Sequence, residues 1–300
     1  MNTPSNAVSP LDPQEIAPAA MSATRPMYWS IRRELWENRS IYIAPLIVAG
    51  VFLLGFLVAT IGRAVATVDP ARKAAVLAEP NSFAAGVIMA TAFVVGVFYC
   101  LDALHGERRD RSILFWKSLP VSDLTTVLSK ASIPLVVLPL LTFAIIVAMQ
   151  LIMLLLSTVV LLMSGLSAAP STPWSQTTLV LLYHLLTVHA LWHAPIYAWL
   201  LLVSGWARRA VFLWAVLPPL AIGVIEKIVF NTSHFAAMLL YRLTGPEGSD
   251  VTAPGSVPTD LLLRFDPGEF LSTPGLWIGL AFAAAFLAAA VLLRRYREPI

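Results

Sequence analysis

Residues 131–207, ASIPLVVLPLLTFAIIVAMQLIMLLLSTVVLLMSGLSAAPSTPWSQTTLVLLYHLLTVHALWHAPIYAWLLLVSGWA, contain no Asp, Glu, Lys or Arg. A helix needs about 20 apolar residues to cross a bilayer, so this stretch has the length of two crossings. Gly165, Pro170 and Pro173, with Ser and Thr around them, break it near the middle and supply one tight turn. Lys130 precedes it and Arg208 and Arg209 follow it, so both ends belong on one side of the membrane and the number of crossings between them is even.

Four more runs have crossing length, at 41–62, 83–104, 210–229 and 275–293, and they join 131–164 and 178–206. The chain is 58% hydrophobic and 12% charged, whereas soluble domains are roughly 25% charged. The expected fold class is therefore an all-α membrane protein with six transmembrane helices. With both termini inside, 14 of the 20 basic residues fall on the cytoplasmic side, which orients the chain N-in and C-in. No nucleic-acid partner is expected, because the basic residues follow the membrane topology.

Residues 106–130, GERRDRSILFWKSLPVSDLTTVLSK, form a densely charged insert between spans two and three. Arg108, Arg109, Arg111, Lys117 and Lys130 mark it as cytoplasmic, while Ile113, Leu114, Phe115, Trp116 and Leu119 make it more apolar than a solvated linker. Such a segment suits an interfacial helix, one face on lipid or membrane helices and the other toward a cytoplasmic partner. A plain charged turn is the simpler reading. Before the first span, Met27–Arg39 (MYWSIRRELWENR) is amphipathic. Tyr28, Ile31 and Leu35 recur at helical spacing, Trp29 and Trp36 lie a heptad apart, and Arg32, Arg33 and Glu37 supply polar faces. This predicts a helix lying in the cytoplasmic interface. Residues 1–25, rich in Pro, Ser and Ala, are expected to be a disordered cytoplasmic tail, and 26–300 one transmembrane domain. In the last external loop, 230–274, the run Phe235–Leu243 is too short to span and predicts a re-entrant or surface helix.

Several chemistries are excluded or weakened. No G-x-x-x-x-G-K-[ST] motif occurs, so the chain has no phosphate-cradling loop of that kind. The single cysteine, Cys100, lies in an apolar run and permits neither an intrachain disulfide nor a multi-Cys metal site. Asp102 and the Glu226–Lys227 pair lie near span ends, where charges are interfacial or mutually paired rather than parts of a mid-bilayer relay. His184, His189 and His193 on span four are the sharpest metal candidates, with His189 and His193 at i, i+4. The segment reads H-A-L-W-H and lacks the Glu a zincin uses as general base, so interhelical hydrogen bonds or pathway lining are favoured and no metal is assigned. No catalytic triad is identifiable and no catalytic residue is assigned. Gly275-x-x-x-Gly279 would let another helix approach span six, and Pro195 and Pro218–Pro219 should kink spans four and five.

From 27 to 297 the chain resembles the type-2 ABC exporter permeases, the ABC-2 membrane proteins. Glu107-Arg108-Arg109-Asp110, followed by Leu119-Pro120-Val121-Ser122 and Lys130, is similar to the family's E-R-x-x-[GS]…L-P-[VI]-S…K pattern, with Ser112 where Gly is commoner. Phe270–Trp277, F-L-S-T-P-G-L-W, also looks like this group. The resemblance implies a coupling helix, roughly Asp110–Ser118, seated in a groove of an ATPase subunit. The coupling residues would be Glu107, Arg108, Arg109, Asp110, Arg111, Ile113, Leu114, Phe115, Trp116 and Lys117. It further implies a non-enzymatic transport subunit in a bacterial inner membrane, paired with a second permease and two cytoplasmic ATPases. Those partners would hold ATP and magnesium, and the permease itself would bind no cofactor. The uncharged 131–207 stretch suits a hydrophobic or amphipathic cargo moving outward. The alternatives are a non-transporting scaffold or sensor acting through 106–130, and an intramembrane enzyme using the span-four histidines.

Overall fold

The computed structural model describes residues 24–65, 80–118, 121–163, 178, 181–244 and 267–296. Most of these residues are helical, and none of them lies in a strand. Helix α1 (Thr24–Glu37) leads into α2 (Ser40–Val65), and α3 (Pro80–Ala103) runs into two short helices, α4 (His105–Arg109) and α5 (Ser112–Ser118). Helix α6 (Asp123–Ser132) continues through a π-turn, Ile133–Val137, into α7 (Leu138–Met163). A second π-helical stretch, Leu185–Trp192, precedes α8 (Ala194–Trp206); then come α9 (Val211–Phe230), α10 (His234–Thr244), α11 (Pro267–Ser272) and α12 (Pro274–Tyr296).

Five helices are long and apolar enough to cross a membrane: Ser40–Ala59, Phe83–Arg109, Asp123–Val159, Val211–Phe230 and Pro274–Tyr296. Leu181–Trp192 and Ala194–Trp206 meet at a 43° bend and make a sixth if they form one broken span. The chain is thus a multi-pass helical membrane protein. Two spans extend further into charged sequence than expected. The second runs to Arg109 rather than 104, and the third begins at Asp123 rather than 131. Both extensions carry charged side chains that are satisfied inside the protein, so nothing forces the helix to stop at the first charge.

The predicted kink at Pro195 falls on the bend, where Pro195 opens α8 with its missing N–H in the first turn. Pro218 and Pro219 lie inside α9, whose helical assignment continues through them. Pro134 starts the π-turn in the third span, a local widening that absorbs the hydrogen bond proline cannot make. The short helices expected at 27–39 and 235–243 are α1 and α10. Of the expected tail, only Thr24 and Arg25 belong to a described element, and the 245–266 part of the external loop lies outside the described residues.

Apolar packing forms two main layers. One joins Ile41, Tyr99, Leu138, Tyr197 and Leu201; the other joins Phe56, Ile88, Ile146, Met149 and Leu185. Gly96 matters to the first layer. A Cβ there would lie 3.1 Å from the Tyr197 ring, so glycine lets α3 and α8 close on one another.

At one end of the bundle the packing is ionic. Glu34 of α1 is 1% exposed and Lys130 of α6 is 2% exposed, and Lys130 Nζ donates to Glu34 Oε1 at 2.8 Å. Lys130 Nζ also lies 3.2 Å from Glu107 Oε1, and Arg33 Nη2 reaches the same two carboxylates at 2.7 and 3.0 Å. Arg294 of α12 pairs with Glu107 Oε2 and lies 3.1 Å from Asp123 Oδ1. The Tyr99 hydroxyl donates to Glu34 Oε2 at 2.9 Å. Three cations thus face Glu34, Glu107 and Asp123, with the more exposed Glu37 a further 3.5 Å partner of Arg33. The ligands of this cluster come from α1, α3, α4, α6 and α12.

Burial alone would raise the Glu34 carboxyl, but Lys130 and Arg33 outweigh it and hold it below the ordinary range. The unfolded carboxyl titrates near 4.5, so below that pH the unfolded chain binds the extra proton. The Glu34 contribution is therefore complete above about pH 4.5 and is lost as pH falls through the lower folded value. Acid titration in detergent should show this slope in the wild type and lose it in Glu34→Gln. At neutral pH, Lys130→Met should cost about 3 kcal/mol, because it leaves buried carboxylates under-compensated. Lys130→Met with Glu34→Leu should recover at least half of that loss. Additive penalties in the double-mutant cycle would show that the two side chains act independently.

Candidate functional site

The loop between spans two and three folds as a helical corner. Ser204 Oγ of α8 accepts from the backbone N–H groups of Leu104 and His105 at 3.0 and 2.9 Å, fixing the start of α4. Arg108 Nη1 donates to Gly205 O at 2.7 Å and Ala207 O at 3.2 Å, satisfying carbonyls at the α8 C-terminus. Glu107 enters the ion cluster. Arg111 then takes φ 57°, a left-handed conformation that turns the chain between α4 and α5. Ser122 caps α6 by accepting from the Thr125 N–H at 3.0 Å.

This geometry divides the ten residues proposed from sequence. Glu107, Arg108 and Ile113 are buried against the rest of the chain and are not part of the outward surface of the corner. Arg109, Asp110 and Arg111 are exposed, and Arg109 Nε lies 3.0 Å from Asp110 Oδ1. Leu114 is 57% and Phe115 60% exposed, so α5 offers an outward apolar ridge. The side chains of Trp116 and Lys117 lie outside the described residues. Behind the ridge is a crevice of about 10 Å³ lined by Leu104, Arg108, Ile113, Gly205, Leu293 and Arg294, enough for one water and too small for a ligand. The corner therefore has a contact face, not a binding pocket, and that face is backed by ion pairs to α1, α6 and α12.

Sequence reading passed over Glu34, Tyr99 and Asp123, and read Arg294 only as a topological charge. The available signal was a glutamate inside a helix whose neighbours were assigned to a lipid interface. Such a carboxylate needs a cation, and Lys130 is that cation.

At the opposite end, the span-four histidines sit at the bend. His189 and His193 are buried with ring centroids 5.5 Å apart; His184 is half-buried, 6.5 Å from His189. His189 Nε2 lies 3.0 Å from Met89 O. His193 Nδ1 lies 2.7 Å from Val188 O and its Nε2 3.3 Å from Leu243 O. These contacts tie the break to α3 and α10, and no cluster of three or more metal-ligating side chains forms among the described residues. Trp192 Nε1 donates to Tyr241 O at 3.2 Å, and the Arg242 guanidinium lies 4.3 Å from the Trp192 ring centroid. Arg242 also donates to Gly275 O and occupies the space where a Cβ on Gly279 would stand. The close approach expected at Gly275-x-x-x-Gly279 is thus made by an arginine side chain of α10. Glu226, expected to be interfacial or paired with Lys227, takes its hydrogen bonds from the next helix. Its carboxylate accepts from Thr232 Oγ1 and the N–H groups of His234 and Phe235, each at 2.8 Å, and so caps α10.

The anchor and contact faces of the corner should respond differently to substitution. Arg108→Ala leaves two carbonyls with fewer donors and should destabilise the purified protein by about 2 kcal/mol. Phe115→Ala should leave unfolding within about 0.5 kcal/mol of wild type. Denaturant titration of both variants checks this, and equal losses would contradict the division.

Comparison of the chain with family models, curated proteins and solved structures finds no match.

Proposed function

We propose that the chain is the permease subunit of an ATP-driven transporter of the ABC-2 type, oriented N-in and C-in in a bacterial inner membrane. The observation that carries this reading is the α4–α5 corner. It exposes Leu114 and Phe115 while Glu107 and Arg108, directly behind them, bond to four other helices. A partner seated on the ridge moves a body already fixed to α1, α6, α8 and α12. Orientation is supported by the gathering of α1, the corner and the last turns of α12 at one end, together with the excess of basic residues on that side.

The partner is a cytoplasmic ATPase, which holds the ATP and magnesium, and α5 is the coupling helix between the two. Arg109, Asp110, Arg111, Leu114 and Phe115 form the contact, with Glu107, Arg108 and Ile113 as its foundation; Trp116 and Lys117 complete the set. A second permease subunit, identical or not, completes the pathway. Helix α9, in which only Ala215 is buried, supports this because it leaves a full spanning surface for lipid or for that partner. Apolar walls suit a hydrophobic or amphipathic cargo carried outward, and the histidine row lies where such a pathway would bend. The chain itself performs no chemistry.

Co-expression with the candidate ATPase tests the assignment. The wild-type complex should co-purify and raise ATP turnover, and Phe115→Asp should reduce both by about tenfold, as expected when a charge enters an apolar contact. An intact complex with unchanged turnover would overturn the coupling role of α5. A complex that forms without ATPase stimulation or transport would favour the scaffold reading.

A further inference from the structure

Helix α1 is amphipathic in an inverted sense. Its charged residues Glu34 and Arg33 point into the bundle, where Glu34 is nearly inaccessible and Arg33 binds Glu34 and Glu107. Its aromatic residues point out: Trp29 is 58% and Trp36 69% exposed, and Tyr28 stacks edge-on against Trp29 with centroids 5.4 Å apart. Arg32 lies between the two indoles, its guanidinium carbon 5.2 Å from the Trp29 ring and 5.0 Å from that of Trp36. Among the described residues no carboxylate pairs with Arg32, whereas Arg33 next to it is committed to three, counting Glu37 at 3.5 Å.

Three facts identify what this face meets. Indoles are enriched at headgroup level, where an apolar ring and a wet N–H are both accommodated. The first span begins at Ser40, three residues after α1 ends, so chain continuity places the face at the membrane surface. A guanidinium lying over aromatic rings still has N–H groups to turn outward, and their fork matches the oxygens of a phosphate.

We propose that Trp29, Arg32 and Trp36 form a binding site for the headgroup phosphate of an anionic phospholipid. The indoles set the depth of the headgroup, and the Arg32 fork takes the phosphate oxygens. Arg39, exposed one residue before the span, adds to the positive field. Through Arg33 and Glu34, adjacent on the same helix, an occupied site steadies the ion cluster that holds the 105–118 corner. This assignment needs only a membrane-embedded chain and stands apart from the transport reading.

The test uses the full-length protein, delipidated in neutral detergent and titrated separately with phosphatidylglycerol and phosphatidylcholine, with bound lipid counted by native mass spectrometry. Wild type should prefer phosphatidylglycerol, and Arg32→Gln should weaken that preference by about fivefold, the effect expected of one basic residue near an anionic surface. Arg32→Lys, which keeps charge without the fork, should fall between them. Trp29→Ala should weaken retention of both lipids. Three results would overturn the site: equal wild-type affinity for the two lipids, an unchanged preference in Arg32→Gln, or displacement of bound phosphatidylglycerol by millimolar inorganic phosphate. The last would mark a free-anion site instead. An unaltered elution profile for Arg32→Gln confirms that it folds, as an exposed side chain predicts.

Discussion

The arrangement depends on a single constraint, that Glu107 cannot be buried without Lys130 and Arg294. An isolated carboxylate removed from water costs several kcal/mol even after relaxation, and attraction repays this only when geometry and hydrogen bonds are satisfied. Glu107 meets that condition with one oxygen shared between Lys130 and Arg33 and the other held by Arg294. These partners arrive from α6, α1 and α12, so three separate elements must reach their positions together. Replacing the whole cluster with apolar side chains need not weaken the fold, since buried ion pairs are poor sources of net stability. What they supply is direction, because an ion pair misplaced by one helical turn is lost, whereas a Leu–Leu contact slides.

That view explains which features were legible in the sequence. The presence of several spanning helices, the charged insert, the short helices at 27–39 and 235–243, and the break at Pro195 all follow from local pattern: run length, periodicity and proline. Helix boundaries at the ionic end did not. Hydropathy treats Lys130 as the edge of a span, yet the helix begins at Asp123, because Lys130 is neutralised by a glutamate 96 positions earlier in the chain. Arg294 and Glu107 are 187 positions apart. No window in the sequence contains both partners, so each charge looks like a boundary residue when it is part of a core. The same blindness made α1 look like a helix with its polar face outward. The structure shows that Glu34 and Arg33 turn inward while Arg32 and Glu37 stay exposed beside the indoles.

The π-helical stretches were invisible for a different reason. A widened turn changes one hydrogen bond per residue and leaves the apolar composition unaltered. At Leu185–Trp192 it shifts the facing of the histidines, and His193 lies between Val188 O and Leu243 O. A neutral imidazole donates to one carbonyl and turns a lone pair toward the other; only the protonated ring donates to both. The break thus combines buried apolar packing, with Leu185 and Trp192 inaccessible, and a few polar contacts that fix the imidazoles.

The two ends of the molecule differ in their polar chemistry, ion pairs at one and carbonyl-bound imidazoles at the other, and α12 joins them. Near its start, Gly275 O accepts from Arg242 and Gly279 accommodates the same guanidinium; near its finish, Arg294 binds Glu107 and Asp123. From Gly275 to Arg294 the helix rises about 28 Å, close to the thickness of the hydrocarbon core. Arg294 ties this helix to the α4–α5 corner through its pair with Glu107 and to α6 through Asp123, so one element joins the ionic end to the end that carries α10. At the far end it meets α10 and the 43° bend, where Trp192 and His193 hold by individual hydrogen bonds. On the proposed coupling reading, α12 is the element that would carry movement between the corner and the bend, because it bonds to the corner through Arg294 and to α10, beside the bend, through Gly275 O.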